Sequence, residues 1–271
     1  MSDWGISAGF QNSSAVGSDT ATTDGVTVSN PGASLNTKGS WTELVASSGI
    51  HAHGIVLSMY ISGNTAVRGL VDIGVGGSGS EVVIIPNYPV QRISSNSASS
   101  GANFFPVTIP VGSRISARYQ HSANQMTVDC GIQLFGAPFN SVWSGTRCAT
   151  YGPNTGTSKG IAVAAAASAN TKGSWFEITA STEFASQYLV LSTLNDGTSS
   201  SAHLLDLAVG SSGSEQIIIP DLLLYNVAGS LMSNARVCIP FALPAGVRLA
   251  ARIQSNNANA VLSTSVTVVG S

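Results

Sequence analysis

Residues 72–86 read DIGVGGSGSEVVIIP, and residues 206–220 read DLAVGSSGSEQIIIP, the same passage 134 positions later. The correspondence extends well beyond this passage. Asn36-Thr37-Lys38-Gly39-Ser40-Trp41 returns as Asn170-Thr171-Lys172-Gly173-Ser174-Trp175. From Asn36 to Gly136 the register holds without a gap, and 33 of 101 positions are identical. Solenoid units run to roughly 20–50 residues, so two units of this size predict two tandem globular domains. The expected division is an irregular N-terminal arm or leader over 1–35, a first repeat over 36–136, a linker over 137–160 and a second repeat over 161–271. The leader is rich in Ser, Thr, Gly and Asn and shows no periodicity, and the linker carries Pro138 and Pro153.

Within each repeat the apolar segments are short, β-branched and separated by Gly, Ser, Asn or Pro. In the first repeat they predict strands near 41–47, 54–61, 69–75, 81–86, 88–93, 103–109, 113–120 and 126–135. The segment 113–120, SRISARYQ, alternates strictly: Ile115, Ala117 and Tyr119 share one face, and Arg114, Ser116, Arg118 and Gln120 share the other. The Ala-rich run 162–169 favours helix by propensity, but its counterpart contains Asn30-Pro31-Gly32, which does not. The expected fold class is all-β: two tandem antiparallel β-sandwich, jelly-roll-like domains. Trp41 and Trp175, each at a strand start, are expected in the core.

Gly74, Gly76 and Gly79 match the spacing of a dinucleotide-binding loop. That loop works only when a helix follows, its N-terminus aimed at the phosphate. Here Glu81-Val82-Val83-Ile84-Ile85-Pro86 follows, which reads as a strand. The loop is therefore expected to turn the chain and to hold no nucleotide.

Only 9% of the residues are charged and the formal net charge is −2. The charge gives no bulk attraction for nucleic acid. Ordinary soluble domains carry roughly 25% charged residues, so little repulsion keeps copies of this chain apart, which fits either a surface covered in an assembly or the neutral surface of a secreted-style β-protein. The opening MSDWGISAGFQNSS has neither a basic region nor an apolar core, so no secretory signal is expected. No apolar run is long enough for membrane insertion. Cys130 and Cys238 align with Thr264 and Phe104, which excludes a disulfide common to both repeats. Buried apolar cysteines are expected instead.

Six charged positions recur in both repeats: Lys38/Lys172, Glu43/Glu177, Asp72/Asp206, Glu81/Glu215, Arg114/Arg248 and Arg118/Arg252. Three cations and three anions per unit suggest internal or interdomain pairing, with arginine forks holding carboxylates. A competing reading makes the arginines a carbohydrate or anion site. Arg114, Arg118, Arg248, Arg252, Asp72, Glu81, Asp206 and Glu215 are therefore the candidate interaction or ion-pair residues. Asp72 and Glu81 flank the turn and are the one carboxylate pair a hydrolase would have here. No nucleophile, base and orienter stand together, so no catalytic residues are expected. His51 and His53 lack a third ligand at convincing spacing, so no metal site and no cofactor is expected.

These pieces together resemble a module that recurs in virion proteins of tailed bacteriophages and gene transfer agents. The residues carrying the resemblance are Asn36–Trp41, the turn of 72–81 with Gly79-Ser80-Glu81, and Ile109-Pro110-x-Gly112-x-Arg114-Ile115 followed by Ala117-Arg118. It covers both repeats and leaves the leaders unmatched. Such modules sit in head spikes, head decorations, collars and tail-fibre regions. The resemblance implies a β-sandwich without cofactor, a homo-oligomer docking to other virion proteins, and a place in a virion assembled in the host cytoplasm. The alternative is a receptor-binding protein that takes host-surface carbohydrate.

Overall fold

The computed structural model describes residues 13–19, 24–29, 34–62, 67–92, 101–123, 127–136, 145–195, 201–226 and 236–271. Every regular element among them is a strand. The first repeat contains β1 (Ser13–Val16), β2 (Ser18–Asp19), β3 (Asp24–Ser29), β4 (Thr42–Val45), β5 (Gly54–Ser62), β6 (Val67–Val75), β7 (Val82–Arg92), β8 (Gly101–Phe105), β9 (Ile115–His121) and β10 (Thr127–Phe135). The second contains β11 (Arg147–Tyr151), β12 (Ile161–Ala164), β13 (Phe176–Thr179), β14 (Ser186–Asn195), β15 (Ser201–Val209), β16 (Gln216–Asn226), β17 (Arg236–Leu243), β18 (Leu249–Ser255) and β19 (Val261–Gly270).

Each repeat folds into two antiparallel sheets. In the first, β3-β10-β5-β8 faces β4-β9-β6-β7; in the second, β12-β19-β14-β17 faces β13-β18-β15-β16. With the eight strands of a repeat counted from β3 or β12, both sandwiches read 1-8-3-6 against 2-7-4-5. That order is a jelly roll, two interlocked Greek keys. The alternation in β5 shows why the sheets close on each other. Ile55, Leu57, Met59 and Ile61 are buried inward, while Ser58 and Tyr60 face out. In β9, Ile115, Ala117 and Tyr119 are fully buried, as are Leu249, Ala251 and Ile253 in β18.

Three features depart from the sequence-based expectation. The leader is not irregular throughout, because β1 and β3 both pair with β10. The linker likewise supplies β11, which pairs with β19. These strands are short and set among Ser, Thr, Gly and Asn, so their few apolar residues, such as Val16, Val26, Val28 and Ala149, did not stand out in the sequence. The segments 81–86 and 88–93 are one strand, β7, interrupted by a bulge. Val71 pairs with Tyr88 and Ile73 with Ile85, so Pro86 and Asn87 stand together opposite Asp72. The second repeat places Pro220 and Asp221 opposite Asp206 in the same way. Asn87 and Asp221 adopt positive φ, 51° and 47°, a conformation Asn and Asp tolerate better than most residues.

The repeats pack on each other along β7. Tyr188, Val190 and Val269 of the second repeat are buried in the hydrophobic core of the first. Thr150 Oγ1 donates to Pro86 O at 2.5 Å, and Arg236 Nη2 donates to Pro89 O at 2.9 Å. The Arg236 guanidinium lies 4.8 Å from the Tyr88 ring centre. A turn of the second repeat also reaches the first: Gln120 Nε2 donates to Thr155 O and Ser158 Oγ, and Ser158 Oγ donates to Asn36 Oδ1. Gln120, expected on the outer face of its strand, is buried because this turn covers it.

Gly69 and Tyr119 show how tightly the first sandwich is filled. A Cβ on Gly69 would overlap the Tyr119 ring, and at the matching positions the second repeat has His203 and Ile253. Gly69→Ala is expected to cost about 1–3 kcal/mol by overpacking. The Cβ would also meet the Gln120 carbonyl oxygen, so adding Tyr119→Ile should recover part of that loss, read as the midpoint of denaturant unfolding.

Candidate functional site

Asp72 lies on β6, with its neighbours Val71 and Ile73 fully buried and its own side chain 4% exposed. A carboxylate so placed must be fully bonded or neutral. Its Oδ1 accepts from Lys38 Nζ and from the Asn87 N–H, each at 2.7 Å, and its Oδ2 accepts from Arg118 Nε at 2.7 Å. Lys38 Nζ also donates to Leu70 O at 3.0 Å. Asp206 repeats the arrangement: Oδ1 accepts from Lys172 Nζ at 2.7 Å and from the Asp221 N–H at 2.9 Å, and Oδ2 accepts from Arg252 Nε at 2.8 Å. One buried aspartate in each repeat thus closes the bulge of the neighbouring strand and anchors two cations. Burial pushes the Asp206 carboxyl up, but the Asp221 N–H, Lys172 and Arg252 outweigh it and hold the group below the usual carboxylate range.

The arginines of these clusters also stack on tryptophan. Arg118 lies 4.6 Å from the Trp41 ring centre, and Arg252 lies 4.5 Å from that of Trp175. Both tryptophans are half-buried on the outside of their sheets, not in the core as expected. Trp41 lies against Gly74, where a Cβ would overlap its ring. The Trp41 ring thus sits close over Gly74, while the second repeat keeps the same stack with Ala208 at that position, so the stack itself does not require glycine.

The other arginine organises the turn. Arg114 Nε donates to Glu43 Oε2 at 2.7 Å, and Nη1 donates to Glu81 Oε1 at 2.8 Å and to Gly76 O at 3.3 Å. Glu81 Oε2 accepts the Gly79 N–H at 3.0 Å. The second repeat matches bond for bond: Arg248 reaches Glu177, Glu215 and Gly210 O, and the Gly213 N–H meets Glu215. The anion this glycine loop receives is thus the chain's own carboxylate. Burial raises the Glu81 pKa, but the bonds from Arg114 and from the Glu81 and Gly79 amides hold it below its ordinary value.

All eight candidate residues therefore fall into four clusters, two per repeat. Asp72 and Glu81 belong to different clusters, each tied to its own cations. A general acid needs a raised pKa, and Glu81 and Asp206 are displaced in the opposite direction. Lys38, Lys172, Glu43 and Glu177 recur in the sequence but were not among the candidate site residues, although they complete these clusters. Among the described residues no group of three or more His, Cys, Asp or Glu is arranged to hold a metal. The His51 and His53 rings lie 4.7 Å apart, and burial, with His51 close by, lowers the His53 pKa. The three cysteines are free thiols. Burial pushes Cys130 up to about 12, so it is an inert apolar side chain.

No protein-family model matches the chain, and no curated protein matches it. Solved structures resemble it weakly. The tandem CBM22-1–CBM22-2 domain of Paenibacillus barcinonensis Xyn10C shares 12% identity at a TM-score of 0.27, over 85% of this chain and 83% of that one. The Cowpea mosaic virus top component shares 8% at 0.35, over 89% and 91%. Broad Bean Stain Virus shares 10% at 0.31, over 89% and 90%. At these scores the likenesses carry no argument about function. The β-sandwich architecture rests on the chain's own strand order.

The aspartate clusters generate a stability prediction. Asp206 is displaced downward, so its contribution is present above the unfolded carboxylate pKa near 4 and is lost as pH falls through the lower folded value. Asp206→Asn is expected to cost about 3 kcal/mol at neutral pH, near the low end for breaking a buried pair because Lys172 and Arg252 keep some water contact. The variant should also lose part of the acid dependence of unfolding. Urea midpoints measured from pH 7 to pH 2.5 for both proteins check this.

Proposed function

We propose that the chain is a non-enzymatic structural protein of a tailed phage or phage-like particle, spike-, decoration- or fibre-associated, working by self-assembly and docking to other virion proteins. The observation that carries this reading is how the polar and apolar groups are divided. The six charged positions that the repeats share bond to one another inside each repeat. The second repeat meanwhile exposes Leu223 and Tyr225 on an edge strand. Internal ion pairing keeps a thin, low-charge sandwich rigid, and an apolar edge offers a partner something to cover. The resemblance of the repeated motifs to tailed-phage virion modules supplies the setting. Expressed with its particle, the protein is expected to co-sediment with particles. Recovery solely in the free fraction would contradict this function.

One observation favours a second reading, the capture of host-surface carbohydrate. The paired stacks Trp41–Arg118 and Trp175–Arg252 present a half-buried aromatic ring beside a cation, and sugar rings stack on such surfaces. Under this reading the wild type would retain glycans on an array, and Trp41→Ala with Trp175→Ala would release them. An array without wild-type binding leaves the scaffold role alone.

A further inference from the structure

The seam between the repeats uses one surface of each, and the matching surface recurs on the other repeat. The first repeat contributes β7. There Tyr88 and Val90 are fully buried, Gln91 is 5% exposed and Pro89 is buried. The same strand of the second repeat is β16, where Leu222, Leu223, Leu224 and Tyr225 take those positions. Leu223 is 69% exposed, Tyr225 59% and Ile217 44%. The difference follows from the packing, because β7 lies under the second repeat.

The surface that covers β7 is the outer face of β11, β14, β17 and β19, including Thr150, Tyr188, Val190, Arg236 and Val269. The first repeat carries the matching face on β1, β5, β8 and β10. At the corresponding positions stand Ala15, Gly54, Val56, Ala102 and Phe135. Ala15 and Ala102 are exposed and Val56 is half-buried. The replacements agree across the two surfaces. Where the seam within the chain sets Arg236 and Thr150 against a strand carrying Pro89 and Gln91, the outer surfaces set Ala102 and Ala15 against one carrying Leu223 and Tyr225. The side chains on both outer surfaces are thus more apolar than those of the seam, while the β16 carbonyls that match Pro86 O and Pro89 O stay at the contact, bonded to water in place of Thr150 and Arg236. A long apolar edge strand is also a standing template for association. Gln120, which holds the turn of the second repeat, recurs as Gln254, half-buried and ready for the same use.

We propose that β16 of one copy docks against the outer β5–β8–β10 face of the first repeat of a second copy, continuing between chains the seam that joins the repeats within one. This inference deepens the assembly reading above and rests on it for its biological setting. The contact is heterologous: it joins two different surfaces, so successive copies add head to tail and close into a ring or extend as a filament. A symmetric dimer formed by two β16 edges is the competing geometry.

Sedimentation of four samples tests the proposal: wild type, Leu223→Asp with Tyr225→Asp, Val56→Asp, and an equimolar mixture of the two variants. All three substituted residues lie outside the cores, and circular dichroism establishes that the variants keep their fold. Wild type is expected to be oligomeric and each variant alone monomeric. The mixture should form a species of twice the chain mass and stop there, since one intact face of each kind remains. A variant that keeps the wild-type size, a mixture that stays monomeric, or a wild type that is monomeric at every concentration overturns the inference. An oligomeric wild type unaffected by both variants does so while leaving the assembly reading standing, whereas that reading fails on particle co-sedimentation.

Discussion

A buried aspartate bonded to a lysine, an arginine and a backbone amide organises each sandwich. Asp72 and Asp206 are almost without water, and three donors meet each carboxylate in its place. One of those donors is the N–H of a left-handed residue in the opposite strand. The bulge there could not otherwise satisfy that amide within the ladder. The bulge lies in β7, the edge strand that the second repeat covers, and in β16, the edge strand proposed to dock on a second copy. The ion cluster therefore acts on the outer surface as well as on the interior: it shapes the strand that one repeat offers to the next.

The arginine clusters do similar work at the turn. Glu81 and Glu215 fill with their own oxygens the amide cradle that a phosphate would need. The loop is then a rigid hairpin end, and Arg114 and Arg248 tie it to the opening strand through Glu43 and Glu177. Among the described residues, Asp72, Glu81, Asp206 and Glu215 are each engaged by their own cations. The second repeat presents an apolar edge instead, with Ile217, Leu223 and Tyr225 exposed on β16.

Much of this was legible in the sequence, and for identifiable reasons. The 134-residue register revealed the duplication, the alternation of SRISARYQ revealed a strand with a core face, and the shared charges revealed the ion-pair partners. Strand order was hidden, because it depends on pairings between segments far apart in sequence. The bulge was hidden because Pro86 reads as a strand terminator, while the Asp72 carboxylate that sustains the strand through it lies on another strand. Trp41 and Trp175 were misplaced because tryptophan is usually buried, and nothing near them in the sequence shows that an arginine on the adjacent strand, β9 or β18, covers the ring. The roles of β7 and β16 were also concealed. The pairs Pro89/Leu223 and Gln91/Tyr225 are among the positions where the repeats differ, so a reading built on identity passed over them.

Assembly through a reused internal seam would leave a signature in hydrogen exchange. Hydrogen exchange read by mass spectrometry, comparing dilute with concentrated protein, tests it most directly. The account requires added protection at high concentration in residues 216–226 and 54–60, with residues 82–92 already protected when dilute. Protection that does not change with concentration in 216–226, or that rises only elsewhere, would contradict it.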